Sequence, residues 1–460
     1  MERIRYLIGT RAFYRKLMRI AVPIMIQNGI TNFVNLLDNI MVGQLGTNQM
    51  SGVAIVNQLM LVFNLVVFGG LAGIGIFTAQ YYGKGDQEGI RYTFRTKIIL
   101  AAFICAAAFV ILLSGGSRFI SLYLHEDQGT GSLLQTMQYA KVYLRVMYLS
   151  MIPFALSTVY SDTLRETGET MVPMKAGLLA VVVNLIGNYI LIFGHFGFPA
   201  LGAAGAAAAT ALSRVAELIY VTVWTHRHTE RNPFIRGIYR HFRIPGDLFV
   251  RYLRKAFPLL LNELLWTVAQ TTLLQNYSVR GLTVVAAFNI SNTLGNVMNV
   301  SFIAMGSAIA IMIGQELGGG RVRHVRQEAE QLAFASVLLC SCVGLVMFAF
   351  AGFFPRFYNT EEEVRLLAAG LIRISAVCMP MYAYENAAYF TIRSGGRVLV
   401  TFLFDSLFCW VFSVPAAFIL ARFTGIPILQ MFLLVQLVEI IKVISGFVLV
   451  RKGIWINNLT

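Results

Sequence analysis

Apolar runs of about 20 residues, the length a helix needs to cross bilayer hydrocarbon, recur along the whole of this 460-residue chain. Twelve are legible. Six lie near 18–40, 50–80, 94–114, 135–160, 170–194 and 203–225, and six near 256–278, 284–314, 329–353, 364–390, 399–420 and 429–450. Lipid offers no partner to an unpaired backbone amide, so only helices or a closed barrel can span it. The runs are far longer than barrel strands, so the predicted fold class is an all-α polytopic membrane protein. Charged residues make up only 13% of the chain, against about 25% in soluble domains. Six His and five Cys argue against a metal-rich or disulfide-built protein.

The net charge of +15 is explained by where the basic residues fall. Arg3, Arg5, Arg11, Arg15, Lys16 and Arg19 precede the first span. Lys84, Arg91, Arg95 and Lys97 lie around the second connection, and a dense group from Arg227 to Lys255 lies between spans six and seven. Arg321, Arg323 and Arg326 follow span eight, and Arg451 and Lys452 follow span twelve. With twelve spans all of these share one face. The positive-inside rule makes that face cytoplasmic and puts both termini inside a bacterial-type plasma membrane. Anionic lipid, not nucleic acid, is then the partner of the positive charge. The basic, amphipathic segment 1–17 is expected to lie along the inner surface.

The chain repeats itself at an offset of 235 residues, which aligns Pro23 with Pro258, Gly46 with Gly281, Asn57 with Asn292, and Arg91 with Arg326. Gln80-x-x-Gly83-x-Gly85 aligns with Gln315-x-x-Gly318-x-Gly320, and Tyr123-x-x-Glu126 with Tyr358-x-x-Glu361. After a shorter loop, Arg145 meets Arg373, and Arg165-x-x-Gly168 meets Arg393-x-x-Gly396. Six spans per half is an even number, so the halves enter from the same side as parallel repeats. The expected organisation is an N-lobe over 1–225, a cytoplasmic linker over 226–255 and a C-lobe over 256–460, with a central cleft between the lobes. Duplicated architecture of this kind points to transport by alternating access.

Charge inside a membrane is costly, so each carboxylate there needs a reason. Asp38 shares one helical face with Asn28, Thr31 and Asn35. Amides can solvate a carboxylate or ligate a cation, and burial in general disfavours the charged form of a carboxyl group. Asp38 with Asn35 is therefore a candidate proton or cation site. Asn184 and Asn188 share a face of the fifth span, and Tyr143 adds a hydroxyl on the fourth; spacing leaves open whether they partner Asp38 or bind helices together. The seventh span carries Asn262, Glu263, Trp266 and Gln270, with Glu263 aligned to Asn28. Candidates for lining the cleft are Asn28, Asn32, Trp266, Gln270, Asn289 and Glu385. Local pairing is expected for Arg214 with Glu217 and for Glu439 with Lys442, at helical spacing of three. Asp405 is expected to pair with a basic loop, and Asp162 to belong with Arg165 and Glu166. Gly83-Lys84-Gly85-Asp86 lacks the strand and the ending of a phosphate loop, and Gly43-Gln44-Leu45-Gly46 reads as a tight turn. With no catalytic cluster, the chain is not expected to be an enzyme or to hold a cofactor.

These residues resemble the multidrug and toxic compound extrusion (MATE) family. The matching segments are Leu37-Asp38-Asn39-Ile40-Met41-Val42-Gly43-Gln44-Leu45-Gly46, Gln80-Tyr81-Tyr82-Gly83-Lys84-Gly85-Asp86, Leu164-Arg165-Glu166-Thr167-Gly168, the run from Asn184 to Gly194, and the run from Gly197 to Ala206 with Ala209-Thr210. The resemblance implies a monomer in the bilayer that exports small-molecule drugs or organic cations in exchange for protons or sodium. It implies that Asp38 is the coupling carboxylate, as in the DinF-type branch, with Tyr143, Asn184 and Asn188 around it. Asn188 stands where some relatives have Asp, which weakens a sodium site at Asp38, Asn184 and Asn188. Glu263 resembles the seventh-helix glutamate of the NorM-type branch, where a C-lobe cation site, with sodium as one occupant, would lie. A flippase for lipid-linked saccharides, of related architecture, is the alternative. Such proteins carry a cationic cavity, and the membrane basic residues here are few.

Overall fold

The computed structural model describes residues 7–122, 133–240, 242–358 and 360–460. Arg3 and Arg5 of the expected interfacial segment, and the Tyr123 and Glu126 of the repeat, lie outside the described residues. Among the described residues the chain is helical throughout, with no strand. Twelve long helices follow one another: α1 (Arg11–Gly43), α2 (Thr47–Lys84), α3 (Gln87–Ser121), α4 (Leu133–Glu166), α5 (Met171–Phe193), α6 (Ala203–Arg227), α7 (Gly246–Ser278), α8 (Leu282–Gly318), α9 (Val322–Phe350), α10 (Glu362–Ser394), α11 (Val398–Phe423) and α12 (Ile428–Lys452). Eleven of them are long and apolar enough to cross a membrane by length and composition. The other is α7, where Asn262, Glu263, Gln270, Gln275 and Asn276 dilute the apolar residues. The helices overrun the apolar cores read from the sequence. α1 begins at Arg11, so 11–17 is continuous with the first span and not a separate surface helix.

The turns follow local chemistry. Asp86 caps α3, accepting from the backbone N–H groups of Glu88 at 3.1 Å and Gly89 at 2.9 Å. Gly85 before it takes a left-handed φ of 80°, and its repeat counterpart Gly320 takes 73°. The glycine-rich stretch is thus a helix end followed by a helix cap, as the missing phosphate-loop features imply.

Contacts divide the chain into two compact units. One comprises Ile26–Thr78 and Asp86–Ala256; the other comprises the start of α1 up to Met25, Ala79–Gly85 and Phe257–Thr460. In the first, α4 packs on α3, α5 and α6, and α5 on α6. Small residues allow the α5–α6 approach: a Cβ on Gly205 would stand 2.3 Å from the Leu191 carbonyl oxygen. The segment between α6 and α7 is part of this unit. Arg91 donates to the carbonyls of Phe234 (3.1 Å) and Pro233 (3.2 Å), and the buried Arg95 donates to Ile238 (2.9 Å). Basic residues read from the sequence only as topology signals therefore also satisfy the linker backbone.

In the second unit α10 is the hub, packed on α8, α9, α11 and α12. It is the repeat counterpart of α4, so the same position in each half organises its packing. Leu17, Ile20, Ala21 and Ile24 of α1 join a core with Ala304, Ile309 and Met312 of α8, Ala387 and Ile392 of α10, and the fully buried Trp455. The glycine repeat has a reciprocal geometry. A Cβ on Gly83 would stand 1.9 Å from the Gln315 carbonyl oxygen, and one on Gly318 would stand 1.8 Å from that of Gln80. Each Gln-x-x-Gly thus presses its glycine onto the glutamine backbone of the other, the symmetric contact that two parallel repeats would make. The Gln80 side chain reaches on to the Ser394 carbonyl (3.0 Å) and the Leu459 amide (2.7 Å), tying down the end of the chain.

Candidate functional site

Two polar centres lie among the apolar helices, one in each unit. The first is built on Asp38. The three-to-four spacing on α1 aims it at α5, whose Asn184 and Asn188 face it because they are one helical turn apart. Asn188 donates from Nδ2 to Asp38 Oδ1 at 2.6 Å. With the Asn184 amide turned so that its nitrogen faces the carboxylate, it donates to both Asp38 oxygens at 2.9 and 3.0 Å. In the opposite orientation its oxygen accepts from Asn188 at 3.3 Å and its nitrogen donates to Thr210 Oγ1 of α6 at 3.3 Å. Both asparagines are buried, and Asn188 Oδ1 has no hydrogen-bond partner among the described residues. Arg214, on α6, pairs with Glu217 at 2.9 Å and lies over the Phe154 ring.

The remaining candidates of this unit are placed as follows. Tyr143 is buried and its hydroxyl donates to Asn57 Oδ1 of α2 at 3.2 Å; among the described residues it makes no hydrogen bond to Asp38. Asn35 is exposed and makes no hydrogen bond to Asp38 among the described residues; of the cleft candidates, Asn32 is exposed and Asn28 half-buried. Thr210 was missed. Its only signal was a hydroxyl inside the alanine run of α6, which reads equally as a packing residue.

The second centre runs across the other unit as one chain of contacts. Arg393 lies 4.0 Å from Glu263, which accepts from Tyr389 at 3.4 Å. Asn262 Nδ2 donates to the Tyr389 hydroxyl (3.2 Å) and to Asp405 Oδ2 (3.1 Å). Lys442 donates to Asp405 Oδ1 at 2.8 Å and lies 4.0 Å from Glu385. Asp405 sits in the first of two π-helical stretches of α11, Leu403–Leu407 and Cys409–Ser413. Wide turns of this kind disturb the backbone ladder and often mark functional sites. Asn262 serves the displaced groups: its Oδ1 accepts from the Ser406 amide at 3.4 Å, and Ser406 Oγ lies 2.7 Å from the same oxygen.

Here too the sequence expectations need correction. Lys442 does not pair with Glu439 one turn away. Glu439 instead accepts from Ser413 at 2.6 Å, while Lys442 reaches across to α11 and α10. Asp405 pairs with that lysine and not with a basic loop. Glu385, expected among the cleft candidates, is buried, whereas Trp266, Gln270 and Asn289 are exposed. Near the end of α4, Asp162 pairs with Arg165 at 2.9 Å as expected, but Glu166 pairs with the fully buried Lys97 of α3 at 2.5 Å. Among the described residues no cluster of three or more His, Cys, Asp or Glu is arranged to hold a metal ion.

Comparison with known proteins agrees with this architecture. The probable multidrug resistance protein YoeA of Bacillus subtilis is 23% identical over 417 residues, covering 90% of this chain and 89% of its own. The probable multidrug resistance protein NorM of Thermotoga maritima is 24% identical over 420 residues, covering 90% and 87%. A structure of an outward-facing multidrug resistance MATE family transporter matches with a TM-score of 0.85 at 19% identity, over 97% of both chains. One of the Vibrio cholerae MATE transporter VcmN matches with a TM-score of 0.84 at 18% identity, over 97% of this chain and 98% of that one. The MatE family model matches residues 23–190 and 258–419, two segments that begin at the aligned prolines Pro23 and Pro258. A multi-pass, all-helical membrane protein with this internal duplication and this match across most of both halves belongs to the MatE family.

Proposed function

We propose that the protein is a secondary active exporter of organic cations and amphipathic drugs, working by alternating access, with Asp38 as the group that couples export to the inward movement of a cation. The relatives described as multidrug resistance proteins support the substrate class. The observation that carries the coupling reading is the amide cradle at Asp38. A carboxylate there accepts N–H from Asn188 and Asn184. A carboxylic acid needs one acceptor for its new O–H, and a half-turn of the Asn184 amide presents Oδ1 to it. The same two asparagines thus satisfy both protonation states, which is what a reversible proton carrier requires. The cradle has one carboxylate, so the reading assigns the proton as coupling ion. Exposed Asn32 and Asn35 in the first unit and, in the second, exposed Trp266, Gln270 and Asn289 are each offered as polar drug contacts. Both termini are assigned to the cytoplasmic face on the distribution of basic residues.

Asp38→Asn tests the reading. The introduced amide can donate to Asn184 Oδ1 or to the unpartnered Asn188 Oδ1, so the variant should fold and bind drug with unchanged affinity while gradient-driven export falls to the background of empty vesicles. Gradient-driven export at the wild-type rate would refute Asp38 as the coupling group.

A further inference from the structure

We propose that Lys442 is a built-in cation: its ammonium group occupies a monovalent-cation site formed by Asp405 and Glu385 and so excludes sodium from this unit. Lys442 lies in the interior of α12, far from either helix end, and is 8% exposed. A lysine so placed is costly unless its charge is matched. Two carboxylates from two other helices converge on it, Asp405 Oδ1 at 2.8 Å and Glu385 Oε2 at 4.0 Å, and the Phe404 ring adds a cation–π contact at 5.5 Å. The oxygens exceed what one ammonium uses. Glu385 is 7% exposed, and its Oε1 is buried with no hydrogen-bond partner among the described residues. Asp405 is held for this task from its other side, with Oδ2 taking an N–H of Asn262, and the π-helical stretch carries it.

The site therefore has the make-up of an alkali-cation site: two carboxylates, spare buried oxygen and one unit of positive charge at its centre. That charge arrives on a side chain and not from solution. Glu439, one turn away on the same helix and with Oε1 accepting from Ser413, adds a further negative charge near the ammonium, whereas Glu263 is engaged by Tyr389 beside Arg393. Removing the ammonium would leave two buried carboxylates that must either take up protons or bind a cation from solution. The inference is independent of the export reading, because its test reads cation binding to the purified protein and not transport.

The test uses the full-length protein in detergent, with its melting temperature measured in sodium chloride and in choline chloride at matched ionic strength. Lys442→Met matches the side-chain stem in length to the ε position, with sulfur in place of Cδ, and lacks the nitrogen. We expect sodium to raise the Tm of this variant by on the order of 5 °C more than it raises that of the wild type. Adding Asp405→Asn should abolish the extra rise. Lys442→Gln, which keeps a polar head, is measured in parallel. A sodium response no larger than that of the wild type in both single variants would overturn the proposal. So would a response that survives Asp405→Asn, or failure of both single variants to fold in either salt.

Discussion

Lys97 and Glu166 form the most deeply buried ion pair in the unit that holds Asp38, and they show how finely a charge inside these helices is balanced. Lys97 is fully buried, its Nζ is 2.5 Å from Glu166 Oε2 and it also donates to Thr163 Oγ1 at 3.3 Å. The space for Glu166 depends on Gly75: a Cβ there would stand 2.1 Å from Oε1. Lys97→Met takes away the ammonium 2.5 Å from Oε2, and removing one partner of a buried pair costs about 3–5 kcal/mol. At roughly 2–4 °C per kcal/mol for a unit of this size, the apparent Tm should fall by on the order of 10 °C. Adding Glu166→Gln removes the remaining charge of the pair and should restore more than half of the loss, because the two changes act on one interaction and are not additive. The assay is thermal unfolding of the purified variants at one fixed scan rate, since large membrane proteins unfold irreversibly. A single variant as stable as the wild type, or a double variant no better than the single, would show that this pair is not what balances Glu166.

Three further outcomes are expected. Asp38→Asn should lose gradient-driven export while keeping drug affinity and a Tm within a few degrees of the wild type, read by vesicle efflux, ligand binding and thermal unfolding together. Glu263→Gln weakens the contacts to Tyr389 and Arg393 and should alter the pH dependence of efflux more than the range of drugs exported; an unchanged pH response removes Glu263 from the mechanism. Gly83→Ala and Gly318→Ala each place a methyl group within 2 Å of a backbone oxygen and should each cost on the order of 1–3 kcal/mol, with similar falls in Tm because the contacts are reciprocal. A harmless alanine at either position would contradict the close approach of the two Gln-x-x-Gly segments.

Most of the architecture was legible because a membrane enforces it. Twelve apolar runs and a side-biased distribution of arginine and lysine follow from hydrocarbon thickness and topology, not from fine packing. The repeat was legible at Gly83 and Gly318 because only glycine fits where backbones meet so closely. Asp38, Asn184 and Asn188 could be found because helical spacing decides which residues share a face. Spacing does not decide which way a neighbouring helix is turned about its axis, and so it left open which partner the Tyr143 hydroxyl takes; α4 presents it to Asn57. The Asp405–Lys442–Glu385 cluster was invisible for a related reason. Its members come from three helices, one of them π-helical, and the i,i+3 rule pointed Lys442 to Glu439. Local rules favour the near partner, whereas a buried lysine takes the partner that long-range packing supplies. The extent of α1 was misjudged because hydropathy reports where lipid begins and not where the helix does.

The coupling role assigned to Asp38 is tested most directly by efflux of a fluorescent organic cation from proteoliposomes under an imposed proton gradient, an imposed sodium gradient or neither. The wild type should export under the proton gradient alone, and Asp38→Asn should export under none. Export driven by sodium alone, or equal export by wild type and Asp38→Asn under the proton gradient, would contradict it.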